Sequence, residues 1–203
     1  MAESERTPVI VLDNGTGYLK AGLSNENEPS CTIPALVGRP MLRYGEKIEN
    51  VILKELMVGD EVIPARSMLE LSYPINEGII ENEEDMETLW RYCLNNKLGI
   101  KDEDFRQRKV LVTEAPNNPI KNKVRIGNIL LDKMGMEGFN IEAQALLTLY
   151  CEGLQSGIVF DSGDGVSHCI PIGFSYIQTN QIKRLNIAGR NITQRLIKLL
   201  QLK

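Results

Sequence analysis

The sequence predicts an α/β fold in two lobes, and three observations lead there. First, two apolar runs each end in an aspartate and then break into alternating glycines. Val9-Ile10-Val11-Leu12 runs into Asp13-Asn14-Gly15-Thr16-Gly17, and Ile158-Val159-Phe160 runs into Asp161-Ser162-Gly163-Asp164-Gly165. Each reads as a buried strand entering a tight turn, where glycine permits positive φ and close backbone approach. Second, short apolar runs alternate with segments of helical period between them, the pattern of layered strands and helices. Third, 203 residues with 42% hydrophobic and 25% charged side chains suffice for one large core or two small ones. The two glycine turns lie too far apart for a solenoid repeat, and their separation suits one turn in each of two lobes.

Taken in order, the first strand and turn are followed by Tyr18-Leu19-Lys20-Ala21-Gly22-Leu23, which resumes strand character and predicts a hairpin. Residues 25–30 form a polar loop, and Ile33-Pro34-Ala35-Leu36-Val37-Gly38-Arg39-Pro40 is apolar but interrupted by prolines. The mixed, charged residues 41–50 predict a mobile surface loop. Turns are expected at Val58-Gly59-Asp60-Glu61 and at Gly78. Residues 85–94 carry Met86, Leu89, Trp90 and Cys93 at helical spacing, with Glu83 and Glu84 favourably placed near the helix start. Val110-Leu111-Val112 predicts a buried strand, followed by the loop Thr113-Glu114-Ala115-Pro116-Asn117-Asn118-Pro119 and a helix over 121–134. A further helix is predicted over 141–151, leading to the second glycine turn. The last helix, 192–202, places Ile192, Leu196, Leu199 and Leu200 on one face that the chain offers nothing downstream to cover.

Composition narrows the function. A net charge of −4 carries no electrostatic footprint for nucleic acid. The opening Met1-Ala2-Glu3-Ser4-Glu5-Arg6 is polar and predicts no secretory signal, and no apolar stretch reaches membrane-spanning length. Cys31, Cys93, Cys151 and Cys169 have no metal-ligand spacing and read as buried free thiols of a reducing compartment. A cytosolic protein is expected.

Two glycine turns facing each other would hold a polyphosphate between their backbone N–H groups, as a nest holds an anion. Asp13 and Asp161 at the strand ends would then sit beside a hydrated divalent cation, since Mg²⁺ takes few carboxylates and keeps several waters. Asx-Gly after an apolar run is also a hairpin signal that needs no ligand. Neither segment is a dinucleotide fingerprint, because a third glycine is missing, and no Gly-Lys-Ser/Thr occurs. His168, the only histidine, follows the second turn, and Gln144 opens an apolar helical stretch where a buried amide needs a partner. Either these two serve structural hydrogen bonds, or they orient a water for in-line attack on a terminal phosphate, a reaction that asks mainly for positioning and charge neutralisation. Lys20 is either a solvated hairpin lysine or a point charge for a phosphate.

The residues resemble those of actins and actin-related proteins. Asp13-Asn14-Gly15-Thr16-Gly17-Tyr18-Leu19-Lys20 is similar to the first phosphate loop of that family, and Asp161-Ser162-Gly163-Asp164-Gly165-Val166-Ser167-His168 to the second. Pro34 to Pro40, Thr113-Glu114-Ala115-Pro116, Gln144-Ala145-Leu146-Leu147-Thr148-Leu149-Tyr150 and Leu185-Asn186-Ile187-Ala188-Gly189-Arg190-Asn191-Ile192-Thr193 fall in family order. The likeness covers nearly the whole chain. Thr16 replaces the serine of conventional actins, and Ala35-Leu36, Leu56-Met57-Val58-Gly59-Asp60-Glu61, Arg66-Ser67-Met68-Leu69-Glu70 and Ile197-Lys198-Leu199-Leu200 follow one subtype of actin-related protein.

The resemblance implies an actin-like ATPase fold with a ribonuclease H-like motif. Its first-lobe core would comprise residues 1–35 and 72–150, with a small subdomain inserted at 36–71 and the start of a second lobe at 151–203. It implies ATP and Mg²⁺ as cofactors, a cytoplasmic, cytoskeletal setting, and as partners actin and the other subunits of the complex that nucleates branched actin filaments. By position, Gly15, Thr16, Gly17, Lys20, Gly163, Asp164 and Gly165 would hold phosphates, and Asp13 and Asp161 would hold the metal through water. Gln144 and His168 would position the attacking water in a slow ATPase that times a conformational change.

Several positions depart from the family pattern. Glu77 stands where conventional actins carry a histidine, Glu83 where the family has a tryptophan, and Asn186 and Asn191 where it has aspartates. Gly173-Phe174-Ser175-Tyr176 lacks a Glu-Gly pair, and Thr179-Asn180 replaces Pro-His. The chain is expected to stop about where a fourth subdomain would begin, without the adenosine-binding half, and so to bind ATP poorly by itself. A truncated actin-like interaction module without nucleotide and another ATPase of the superfold, such as a sugar kinase, are the alternatives.

Overall fold

Burial alternates along the first strand, β1 (Ile10–Asn14), so that Ile10 and Leu12 enter the core while Val11 and Asp13 point the other way. This computed structural model describes residues 7–41 and 53–202. β1 turns back into β2 (Tyr18–Leu23) and then β3 (Cys31–Pro34), an antiparallel meander that bears out the expected hairpin. The other edge of β1 pairs in parallel with β9 (Lys109–Glu114), and β9 in parallel with β10 (Gly138–Ala143), giving the order β10-β9-β1-β2-β3.

Residues 141–143, expected to begin a helix, are strand. Ile141, Glu142 and Ala143 pair with Val112, Thr113 and Glu114 along one edge of β9, so the ladder holds them extended and α4 (Gln144–Cys151) starts only at Gln144. The apolar spacing of this stretch fits both periods, and tertiary pairing decides between them.

Helix α2 (Glu83–Tyr92) begins where the Asn82 side chain accepts from the N–H groups of Glu84 and Asp85, with three acidic residues complementing the helix N-terminus. It buries Met86, Leu89 and Trp90 and runs on as a π-helical turn, Cys93–Lys97. Helix α3 (Ile120–Gly127) continues likewise through Asn128–Lys133. These helices and the five-stranded sheet enclose the main core, with Trp90, Phe105, Leu12, Ile10 and Ile129 wholly buried.

Between β3 and α2 lies a small sheet in the order β5-β4-β6, formed by β4 (Val37–Pro40), β5 (Met57–Val58) and β6 (Leu69–Ser72). A short helix, α1 (Val62–Ala65), closes over it, and Leu36, Met57, Val62, Ala65, Met68 and Leu69 form a separate core. The mobile loop expected at 41–50 lies, Met41 apart, outside the described residues. A two-stranded hairpin follows, β7 (Ile75–Asn76) and β8 (Ile79–Ile80), whose turn holds Glu77 and Gly78 at φ +50° and +82°.

After α4, β11 (Gly157–Ser162), β12 (Ser167–Gly173), β13 (Tyr176–Ile177) and β14 (Lys183–Leu185) make a second antiparallel sheet with β12 at its centre. It packs on α4 through Leu146, Leu149, Ile170 and Ile172. The final helix, α5 (Gly189–Gln201), buries none of its residues. Among the described residues no helix is long and apolar enough to cross a membrane. All four cysteines are free, but only Cys31 and Cys93 are buried; Cys151 is exposed and Cys169 half-buried, because the last turn of α4 and the outer side of β12 carry no covering layer.

Candidate functional site

The carboxyl ends of the parallel strands β1 and β9 and the start of α4 converge on one edge of the first sheet, the position where open α/β sheets present a crevice. There a cleft of about 520 Å³ opens, lined by both glycine turns, Asp13, Lys20, Thr113, Gln144, Asp161 and His168. Every sequence-predicted site residue is in this lining.

Asp13 is the best-held group. Its Oδ1 accepts from Thr113 Oγ1 at 2.6 Å and from Gln144 Nε2 at 2.8 Å, and the Gln144 amide also donates to Thr113 Oγ1 at 3.1 Å. Its Oδ2 faces Lys20 Nζ at 3.6 Å, Lys20 being the cross-strand partner of Asp13. Gln144 thus sits at the first position of α4 with its amide turned onto the metal-candidate carboxylate.

The first turn closes the β1–β2 hairpin, and the second closes β11–β12 between Ser162 and Ser167. Both turns close hairpins, and both line the cleft. Of the two glycine properties read from the sequence, positive φ and close backbone approach, none of the four adopts the first. Their reason is space. A Cβ on Gly15 would stand 2.5 Å from the Tyr18 carbonyl oxygen, and one on Gly17 would stand 2.9 Å from Asp164 Cβ. The two turns are in van der Waals contact across the cleft, since a Cβ on Gly165 would also meet Thr16 at 3.2 Å.

Each turn is anchored from behind. Trp90 Nε1 donates to Asn14 Oδ1 at 3.0 Å inside the main core. Ser162 and Ser167 hydroxyls lie 2.8 Å apart, and Ser167 donates on to the Ile187 carbonyl. The N–H groups of Gly189 and Arg190 donate to the carbonyls of Gly163 and Asp164. The Asp164 carboxylate is paired with Arg190 at 2.8 Å, so what Asp164 leaves for an anion is its backbone.

His168 is buried opposite Asp161 on the paired strand. Burial pushes its pKa down and the Arg184 charge adds to that, against the pull of Asp161, so the ring is neutral near pH 7. Arg184 is itself ion-paired with Glu77 of the β7–β8 turn. The other departures also have local work. Glu83 faces Arg125 and Lys133, Asn186 accepts from Arg184, and Asn191 accepts from the Ala188 N–H at the start of α5.

Thr113, Asn14 with Trp90, and Arg190 were not singled out as site residues from sequence. The available signal for Thr113 was a hydroxyl at the end of an apolar strand, where it can reach only an adjacent strand end. For Trp90 and Arg190 the partners are too distant in sequence to be read. The assembled groups place two glycine turns and two carboxylates around one cleft, chemistry suited to a polyphosphate with a divalent cation.

The family model described as Actin matches residues 4–203. The chain is similar to actin-related protein 2 of Acanthamoeba castellanii, 44% identical over 98% of this chain and 51% of the relative. It is similar to actin-related protein 2 of Schizosaccharomyces pombe, 46% identical over 94% of this chain and 48% of the relative. For that of Arabidopsis thaliana the identity is 42% over 95% and 49%. The chain spans about half the length of these relatives. With the family model covering nearly every residue, the chain belongs to the actin family.

Proposed function

We propose that this chain forms the phosphate-holding part of an ATP-binding actin-related protein. The observation that carries the reading is the contact of the two glycine turns, Gly17 on Asp164 and Gly165 on Thr16, over a cleft that also holds Asp13 and Asp161. The cleft lies within the roughly 300–1,000 Å³ range of small-molecule sites. Its glycines let the two turns approach closely around the cleft, and its two carboxylates suit a cation that keeps most of its waters. The residues therefore fit ATP with Mg²⁺. Bound there, Mg²⁺ would neutralise phosphate charge and fix the phosphate chain.

In this reading the backbone N–H groups of Thr16, Gly17, Asp164 and Gly165 hold phosphates, with Lys20 adding a point charge; Gly15 and Gly163 line the cleft beside them, their own N–H groups closing the turns onto the Asp13 and Val166 carbonyls. Asp13 and Asp161 face the cation through water. Thr113 and Gln144 hold Asp13 Oδ1, which keeps the other oxygen directed toward the cleft side where Lys20 lies. Gln144 and neutral His168 orient the attacking water, and slow hydrolysis times a conformational change. Residues 1–35 and 72–150 would be the first-lobe core, 36–71 its inserted subdomain and 151–203 the start of the second lobe.

The similarity to proteins named actin-related protein 2 supports a role in the complex that nucleates branched actin filaments, with actin and the other subunits as partners in the cytoplasmic cytoskeleton. Calorimetric titration of a chain of the relatives' full length tests the nucleotide reading. Affinity is expected to rise with phosphate number and with Mg²⁺. Equal binding of ATP and adenosine would remove the phosphate assignment.

A further inference from the structure

We propose that Arg190 is a positioning residue that couples the second glycine turn to the small β5-β4-β6 sheet through Tyr73. Arg190 grips Asp164 twice. Its backbone N–H donates to the Asp164 carbonyl at 2.9 Å, and its Nε and Nη2 donate to Asp164 Oδ2 at 3.1 and 2.8 Å. The guanidinium also lies over the Tyr73 ring, 4.9 Å from its centroid. Tyr73 immediately follows β6 and packs against the separate core of the small sheet, and Arg66 of that same region reaches its hydroxyl at 3.4 Å. One side chain therefore touches the turn with its edge and the small sheet's aromatic contact with its face. A guanidinium can do both at once; a lysine ammonium has no plane to stack.

The contacts leave little slack. Asp164 Cβ already fills the space beside Gly17, so a displacement of the turn moves Asp164 against either Gly17 or Arg190. The start of α5 follows the turn as well, because Gly189 N–H is bonded to the Gly163 carbonyl and no residue of α5 is buried elsewhere. A shift of the turn is thus passed to Tyr73 and the cluster around Met68 and Leu69. That an anion at the turn would set off this shift rests on the ATP reading above. The coupling itself does not.

Hydrogen exchange of the full chain without nucleotide tests the coupling, followed in peptides covering the second turn and in those covering β6 to β7. Arg190→Ala is expected to speed exchange in both by about two- to thirtyfold, the range of a cation–π contact. Arg190→Lys should restore protection at the turn but not at Tyr73. The deciding variant is Tyr73→Ala, which touches no residue of the turn and is nevertheless expected to speed exchange there, while Tyr73→Phe is not. Combining Arg190→Ala with Tyr73→Ala should add nothing beyond the larger single effect. An unchanged turn in Tyr73→Ala, or additive effects in the double variant, overturns the coupling. Adding Mg-ATP should slow exchange in both regions of the wild type and only at the turn in Tyr73→Ala. If Mg-ATP alters neither region, the nucleotide reading fails while the nucleotide-free results still decide the coupling.

Discussion

Thr113 Oγ1 donates to Asp13 Oδ1 at 2.6 Å, tying together the ends of two adjacent parallel strands. Asp13 and Thr113, each next to last in its strand, both line the cleft, and this bond fixes one carboxylate oxygen so that the other stays turned toward Lys20. Thr113→Val keeps the shape and removes the donor. It is expected to cost about 1.5–3 kcal/mol, the range for a hydrogen bond to a charged group. Urea unfolding should show a lower midpoint with an unchanged slope, and Thr113→Ser should stay close to wild type. An unaltered midpoint in the valine variant would show that Gln144 alone suffices to hold Asp13.

Asp161 lines the cleft from β11, opposite His168. In a chain of the relatives' full length, Asp161→Asn is expected to weaken Mg²⁺-dependent ATP binding by about 10–100-fold, the usual effect of losing a group that orients a metal's surroundings. The fold should survive, since Asp161 is only half-buried and makes no ion pair among the described residues. Titrations with Mg²⁺ and with chelator separate the outcomes. Equal affinities of variant and wild type in both conditions would dismiss Asp161 from the cation site.

Gln144→Ala and His168→Ala should slow ATP hydrolysis on the order of 10²-fold, the cost of a misplaced reactant, while leaving ATP affinity nearly unchanged, since Thr113 still holds Asp13 Oδ1 in the Gln144 variant. Single-turnover cleavage at the wild-type rate would remove either residue from the mechanism. His168 also gives a stability signature. Its folded pKa lies below the unfolded value near 6.5, so as pH falls the unfolded chain takes the proton first. The contribution is complete above about pH 6.5, declines as pH drops toward the lower folded value, and stays flat beyond it. Thermal midpoints across this window should fall for wild type and lose that part of the slope in His168→Ala.

Much of this architecture was readable because its signals are local. Val9 to Gly17 and Ile158 to Gly165 announce strand and turn within a few residues, and Met86, Leu89 and Trp90 announce a helix by spacing alone. What failed depended on partners. Residues 141–143 look helical until β9 is present to pair with them, and no local pattern says that it will be. The glycines were read as allowing positive φ and close approach, and only the second applies: Gly17 is needed because Asp164, distant in sequence, comes within 2.9 Å of where its Cβ would stand. The residues expected at the site were named by type and position, and the fold brings them to one cleft. The bonds that hold them, Thr113 on Asp13, Trp90 on Asn14 and Arg190 on Asp164, join residues 100, 76 and 26 apart and needed the fold to be seen.

The exposed side of α5 gives a prediction for the 203-residue polypeptide expressed by itself. Ile192, Leu196, Leu199 and Leu200 are 66%, 55%, 46% and 64% exposed, and Ile158 and Phe160 project from β11 at 73% and 64%. Large apolar surface of this kind associates, because covering such a side chain contributes roughly 1.5–3 kcal/mol. The polypeptide is therefore expected to form oligomers at micromolar concentration, with a size that grows with concentration in sedimentation. Replacing Leu196 and Leu200 by lysine should shift it toward monomer without lowering its unfolding midpoint, since neither side chain is packed in the fold. A wild-type chain that stays monomeric across that range would mean this face is not adhesive. Oligomers that persist in the double variant would place the contact elsewhere, with β11 the next surface to alter.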